Sequence, residues 1–271
     1  MTTLIVWKSA RKTSEETIYF ASDSRISWTN SAHKWDRGRK LFYCKNHPII
    51  FGFAGDALAL SMAISVISDT LDCIDPCELA LVDVPKIASQ MLNDATSVYP
   101  RDLYQETEVL IAFPGDGPAH TIIRLQKENP SSEWEVKPVD TSSVDVHSNF
   151  IAAFGSGAKK FRAQLKRNQK DPQSGTARFV FWNFLDFVNS GKDPRTGGNI
   201  QIIRLGFDGR ANPVGLLYNE KFSILGAQLA SDRIVSEIDW RNEKFEFVGP
   251  KTGVKLPGQS RYEKSRPNYS E

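Results

Sequence analysis

The order of the apolar runs is what most constrains this chain. Two short β-rich runs, Leu4 to Trp7 and Ile18 to Ala21, flank the charged stretch Lys8 to Glu16, as in a hairpin with buried strands and a wet turn. Leu41 to Cys44 and Ile49 to Phe53 form a second pair, and Ala57 to Leu71 follows, apolar on nearly every side, which predicts a buried helix. Behind Pro85, Ile87, Met91, Leu92, Ala95 and Val98 recur at helical spacing. Val109 to Phe113, Thr121 to Leu125 and Phe150 to Phe154 read as strands, with the polar stretch Gln126 to His147 as loop. Ala158, Phe161 and Leu165 mark a third helix with a basic outer face, and Thr176 to Val188 a fourth, rich in aromatics. Ile200 to Leu205, Val214 to Tyr218 and Phe245 to Val248 are strands again. Strands, two helices, strands, two helices, strands is neither the alternation of a parallel sheet nor an all-β pattern. It is an α+β order that suits helix pairs outside a two-sheet sandwich.

No shift in composition divides the 271 residues before about Pro250, so residues 1–250 read as one domain and 251–271 as a polar, loosely held tail. The formal charge is +2 with both signs interspersed, which gives no electrostatic case for nucleic acid or an anionic membrane. Three cysteines, Cys44, Cys73 and Cys77, are too few for a disulfide framework and lack the partners of a zinc site. The first residues show no basic leader with an apolar core, and no run is long enough to span a bilayer, so the expectation is a cytoplasmic chain. His33, His47, His120 and His147 form no ligand-like pair, and Gly155-Ser156-Gly157-Ala158-Lys159-Lys160 lacks the ending of a phosphate-binding loop. Neither metal nor organic cofactor is expected.

Thr2 follows the start methionine, and removal of Met1 would leave it with both a hydroxyl and a free α-amine. Such an amine has an ordinary pKa of about 7.7 to 8.0, so one residue can supply nucleophile and base. Taken singly, Thr2 is an ordinary second residue, Asp23 a turn aspartate, Lys40 a solvated strand-edge lysine and Gly52 the end of a buried strand. Gly155 to Gly157 reads as a helix-capping turn and Asp193 to Gly198 as a surface loop.

Taken together, Asp23-Ser24-Arg25, Gly38-Arg39-Lys40-Leu41-Phe42, Phe51-Gly52-Phe53-Ala54-Gly55-Asp56, Phe154-Gly155-Ser156-Gly157 and Asp193-Pro194-Arg195-Thr196-Gly197-Gly198-Asn199-Ile200 resemble proteasome β subunits and the bacterial heat-shock peptidase. These belong to the N-terminal nucleophile (Ntn) hydrolases. The resemblance runs from about Thr2 to Leu205 and implies a four-layer αββα sandwich. It also implies a threonine peptidase with Thr2 as nucleophile and Asp23 with Lys40 as the charged pair beside it. Gly52 would supply the oxyanion N–H, and Ser156, Asp193 and Thr196 would support the threonine amine. Thr196 stands where the family has serine, and it keeps the hydroxyl. Residues matching Ile26, Ile50 and Ala54 line the family's pocket for the side chain before the cut bond, and all three are apolar here. The family's partners are peptide or unfolded protein, a homo-oligomeric ring and an ATP-dependent unfoldase. The chain departs from it by a longer first hairpin and by added residues at 126–147 and beyond Pro250. A non-catalytic ring or scaffold subunit and a small-molecule amidase stay open beside the peptidase.

Overall fold

The computed structural model describes residues 2–10, 16–28, 33–100, 105–115, 119–129, 132–141, 149–230 and 237–257. In chain order come β1 (Thr3–Ala10), β2 (Glu16–Ser22), β3 (Ile26–Ser27), β4 (Lys34–Trp35), β5 (Leu41–Tyr43) and β6 (Ile50–Ala54). Next are α1 (Ala57–Asp72), α2 (Val84–Ser97), β7 (Thr107–Pro114), β8 (His120–Lys127), β9 (Glu135–Pro138) and β10 (Asn149–Gly155). Then follow α3 (Ala158–Arg167), α4 (Ala177–Asn189), β11 (Gln201–Leu205), β12 (Ala211–Pro213), β13 (Gly215–Tyr218), β14 (Lys221–Ile224), β15 (Ala227–Leu229) and β16 (Trp240–Asn242).

Two five-stranded sheets carry the fold, ordered β10-β1-β2-β11-β12 and β5-β6-β7-β8-β9, with every ladder antiparallel. Alternate residues of β1 go to opposite faces. Leu4 and Val6 join Ile18, Phe20, Leu41, Ile50 and Leu110 in an apolar cluster between the sheets. Ile5 and Trp7 point the other way, into a cluster with Phe161 of α3 and Phe181, Phe184 and Phe187 of α4. The outer side of the second sheet, with Phe51, Phe53, Val109 and Ile111, packs on Leu60, Ile64, Ile67, Ala88 and Leu92 of α1 and α2. Strands covered on both faces must be apolar on both, which is why β1 and β6 read as continuous runs. Trp7 stacks on its cross-strand neighbour Tyr19 at 5.1 Å. Each large apolar side chain buried this way contributes about 1.5–3 kcal/mol.

Local signals set the helix starts. Asp56 caps α1 by accepting the Ala59 N–H at 3.0 Å, Pro85 sits in the first turn of α2, and Thr176 caps α4 by accepting the Phe179 N–H at 3.1 Å.

Four expectations are corrected. The first hairpin is longer: Lys8 lies inside β1, buried, with its ammonium 3.5 Å from Glu16 of β2. Residues 11–15 of its turn lie outside the described residues. Helix α1 is not buried all round, because Leu58, Met62 and Val66, spaced one turn apart, are 65%, 64% and 57% exposed. Part of the 126–147 stretch is not loop: β9 adds an edge strand to β8, and since all four of its residues are exposed, it carries no apolar period to read. Residues 130, 131 and 142–147 of that stretch lie outside the described residues.

Phe245 to Val248 forms no strand of its own. Phe245 adopts a positive φ of 55° and drives its ring against Trp7, Tyr19 and Phe181, while strand pairing here belongs to β16. β16 runs parallel to β13 in a small sheet ordered β15-β14-β13-β16. Beyond Pro250, Lys255 pairs with Val248 and its Nζ lies 2.6 Å from Glu246, whereas 258–271 lie outside the described residues. Among the described residues no helix is long and apolar enough to cross a membrane.

Candidate active site

The β1–β2 register, with Leu4 opposite Ser22, brings the chain's first residues beside the turn that leaves β2. Asp23 sits there, fully buried. Its Oδ1 accepts the Thr3 N–H at 2.9 Å and the Lys40 ammonium at 3.0 Å, and its Oδ2 accepts the N–H groups of Arg25 and Gly197, each at 3.1 Å. Four donors fill the lone pairs of one carboxylate, which is how a buried charge is tolerated. The carboxylate thus ties the start of β1 to the loop ahead of β11.

Lys40 immediately precedes β5 and is fully buried, so it is not the solvated lysine that its position alone allows. Nζ also donates to the Arg25 carbonyl at 2.6 Å, and its backbone N–H donates to Gln201 Oε1 at 3.0 Å. Burial pushes the Lys40 ammonium below the ordinary lysine range, and the adjacent Asp23 charge pulls it back up.

A second polar chain flanks the first. Thr196 Oγ1 donates to Asp193 Oδ2 at 2.7 Å and lies 2.6 Å from Thr3 Oγ1. A hydroxyl has one proton, so Thr3 is the donor of that contact and the relay runs Thr3, Thr196, Asp193. The Ser156 hydroxyl donates to the same Asp193 oxygen at 3.4 Å. The structure therefore brings Asp23, Lys40, Ser156, Asp193 and Thr196 to the start of β1, with Thr3 engaging both chains.

Thr2 is fully buried, and its Oγ1 has no hydrogen-bond partner among the described residues. It borders a cleft of about 350 Å³ whose wall includes Ala54, Gly55, Glu108, Gly155, Ser156 and Arg195. Met1 lies outside the described residues. Two of the wall glycines have backbone conformations that side chains rarely adopt, Gly55 at φ 119° and Gly155 at φ 80°, and a Cβ on Gly155 would collide with the Thr2 carbonyl.

Glu108 is a wall residue that motif reading missed. Its Oε2 accepts the Gly155 N–H at 3.2 Å, and its Oε1 pairs with Arg124, whose guanidinium lies 5.7 Å from the Phe154 ring centre. The side chain thereby clamps β7 of the second sheet to β10 of the first, next to Thr2. The available signal was a lone carboxylate at the head of the apolar run Val109 to Phe113.

Three expected residues are placed elsewhere. Gly52 lies inside β6, between Leu41 of β5 and Leu110 of β7, and a Cβ there would stand 3.0 Å from Leu4. Its lack of a side chain makes room for Leu4; the strand-end glycine on the cleft is Gly55. Ile50 is fully buried in the cluster between the sheets, closed off from any ligand. Ile26 is half-buried in β3 against Gly38, while Ala54 alone of the three apolar candidates borders the cleft.

Scanned against protein-family models the sequence finds no match, and a search of the curated proteins finds none. Among solved structures the chain is similar to a Gly-1 mutant of Anbu from Hyphomicrobium sp. strain MC1, with a TM-score of 0.51 and 16% identity. The match covers 79% of this chain and 86% of that one. The likeness is one of fold.

Proposed function

We propose that the chain is a threonine-type peptidase of the Ntn hydrolase kind, built as a four-layer αββα sandwich and working from Thr2 once Met1 is removed. The observation that carries this reading is the buried Asp23–Lys40 pair, joined through Asp23 to the first backbone N–H of β1. Keeping a lysine wholly out of water is costly unless its charge has a use or a partner, and here it has the partner at the foot of the candidate nucleophile. In the reaction, Thr2 Oγ1 bonds to the substrate carbonyl carbon while its proton passes through water to the Thr2 α-amine. Lys40 favours the developing alkoxide, and Gly55 borders the reacting carbonyl. The C–N bond breaks, the amine product leaves with that proton, and water then splits the ester to restore Thr2. Ser156, Asp193 and Thr196 hold the start of β1 and the amine in place. A ring of identical subunits, peptide or unfolded protein as substrate, and an ATP-dependent unfoldase belong to the same reading.

A second reading, a non-catalytic ring or scaffold subunit, is favoured by one observation: the Thr2 hydroxyl is shielded from solvent. Hydrolysis of a fluorogenic peptide panel by the purified full chain separates the two. The peptidase reading expects turnover that falls by at least about a hundredfold in Thr2→Ala and in Lys40→Ala, with partial activity in Thr2→Ser. Turnover unchanged in Thr2→Ala overturns it, and a chain with free Thr2 but no turnover favours the scaffold.

A further inference from the structure

Glu108 is a carboxylate where the strand pattern calls for an apolar side chain. Side chains alternate along β7, so Glu108 shares a face with Leu110 and Ala112, which belong to the apolar cluster between the two sheets. Its side chain is 14% exposed. A carboxylate set there is penalised unless donors reach it, and among the described residues two do. The Arg124 guanidinium meets Oε1, and the Gly155 N–H donates to Oε2 at 3.2 Å. Arg124 stands on β8 opposite Leu110, diagonal to Glu108, while Gly155 ends β10 in the other sheet.

The Arg124 contact balances the charge, whereas the Gly155 contact reaches the cleft. Gly155 closes the β1–β10 ladder opposite Thr3 and turns there with φ 80°. Its backbone packs so closely that a Cβ would collide with the Thr2 carbonyl oxygen and stand 2.9 Å from Cβ of Ala54, the cross-strand neighbour of Glu108. The next residue is Ser156, whose hydroxyl donates to Asp193 Oδ2 at 3.4 Å. Thr2, Ala54, Glu108, Gly155 and Ser156 all border the same cleft. A turn that rests on the candidate nucleophile is thus fastened from the opposite sheet through a charged acceptor, the kind that makes hydrogen bonds roughly twice as strong as neutral ones.

We propose that Glu108 is a positioning residue for the reaction at Thr2. By accepting the Gly155 N–H it fixes the backbone against which the Thr2 carbonyl rests, and it sets where Ser156 meets Asp193. This role rests on the peptidase reading and gives Glu108 neither contact with substrate atoms nor a proton to transfer. Without the acceptor the Gly155 N–H loses its partner, and the turn shifts to find another. A displacement of about 1 Å at a reacting group lowers a rate by about a hundredfold. A clamp that served stability alone would change the melting temperature and leave the turnover of the folded chain as it was.

Two double variants of the full chain isolate that hydrogen bond. E108Q/R124M and E108M/R124M both lack the ion pair, carry the same charge and have side chains of similar size, but only the first keeps an oxygen that can accept the Gly155 N–H. Steady-state kcat and KM for a fluorogenic peptide are measured below the melting temperature of every variant. E108M/R124M is expected to lose at least about tenfold in kcat with KM within about twofold of the wild type, and E108Q/R124M to stay within about threefold in kcat. E108A/R124M makes the same comparison if E108M/R124M does not fold. Wild-type kcat in the variant without an acceptor, equal losses in both variants, or a loss confined to KM overturns the proposal, while wild-type turnover that vanishes in Thr2→Ala keeps the peptidase reading standing. A wild type without turnover, or with turnover that survives Thr2→Ala, overturns both.

Discussion

The opening of the first sheet and the middle of the second are equally buried and built on opposite terms. Around Asp23, Lys40, Thr196 and Asp193, polar groups are matched to named partners at 2.6–3.4 Å, the Thr2 hydroxyl standing as the unmatched one among the described residues. Around Ile50 and Gly52, the contacts are those of Leu4, Leu41 and Leu110, and only shape matters. The difference teaches that a buried charge dictates its surroundings, because each missing partner is penalised, whereas a buried isoleucine accepts any apolar neighbour of suitable size.

The largest expected effect tests the polar side. Lys40→Met leaves the Asp23 carboxylate buried without its cation and should cost about 3–5 kcal/mol in urea unfolding. A loss under about 1 kcal/mol would mean that the pair is not sealed from water. Next come the two glycines of one strand. Gly55→Ala meets both an unfavourable φ and the Glu106 carbonyl, and should destabilise by about 3 kcal/mol. Gly52→Ala presses only on leucine methyls and should cost about 1 kcal/mol. Equal losses in thermal melts would erase the distinction between a cleft glycine and a packing glycine. Smallest is Ile50→Val, at about 0.5 kcal/mol, with the cleavage preference of a peptide panel left as it was. A changed preference at the residue before the cut bond would return Ile50 to the substrate pocket.

The same contrast explains what could be read from the sequence. Most helices and strands were legible, since the apolar runs are long and Pro85 marks the start of α2; the caps Asp56 and Thr176 show only in the structure. β9 was not, having no buried face, and neither was the turn at Phe245, whose positive φ no local residue type announces. In the site, Asp23, Lys40, Ser156, Asp193 and Thr196 were legible only as a set, through the resemblance their motifs carry together, and the structure brings them to one place as each other's hydrogen-bond partners. Gly52 and Ile50 fit the same motifs but carry no such requirement, so position along the strand could not say which face of the sheet claims them. Glu108 was missed because its partners lie on two other strands, Arg124 across the β7–β8 hairpin and Gly155 on β10 of the other sheet.

Intact-mass and peptide-mapping spectrometry of the purified chain, before and after exposure to a peptide epoxyketone, tests the central claim most directly. The reagent captures a threonine hydroxyl together with its free amine. The account predicts a chain without Met1 that carries one adduct on Thr2, absent from Thr2→Ala. A chain that begins at Thr2 and takes no adduct, or one that keeps Met1 throughout, would contradict it.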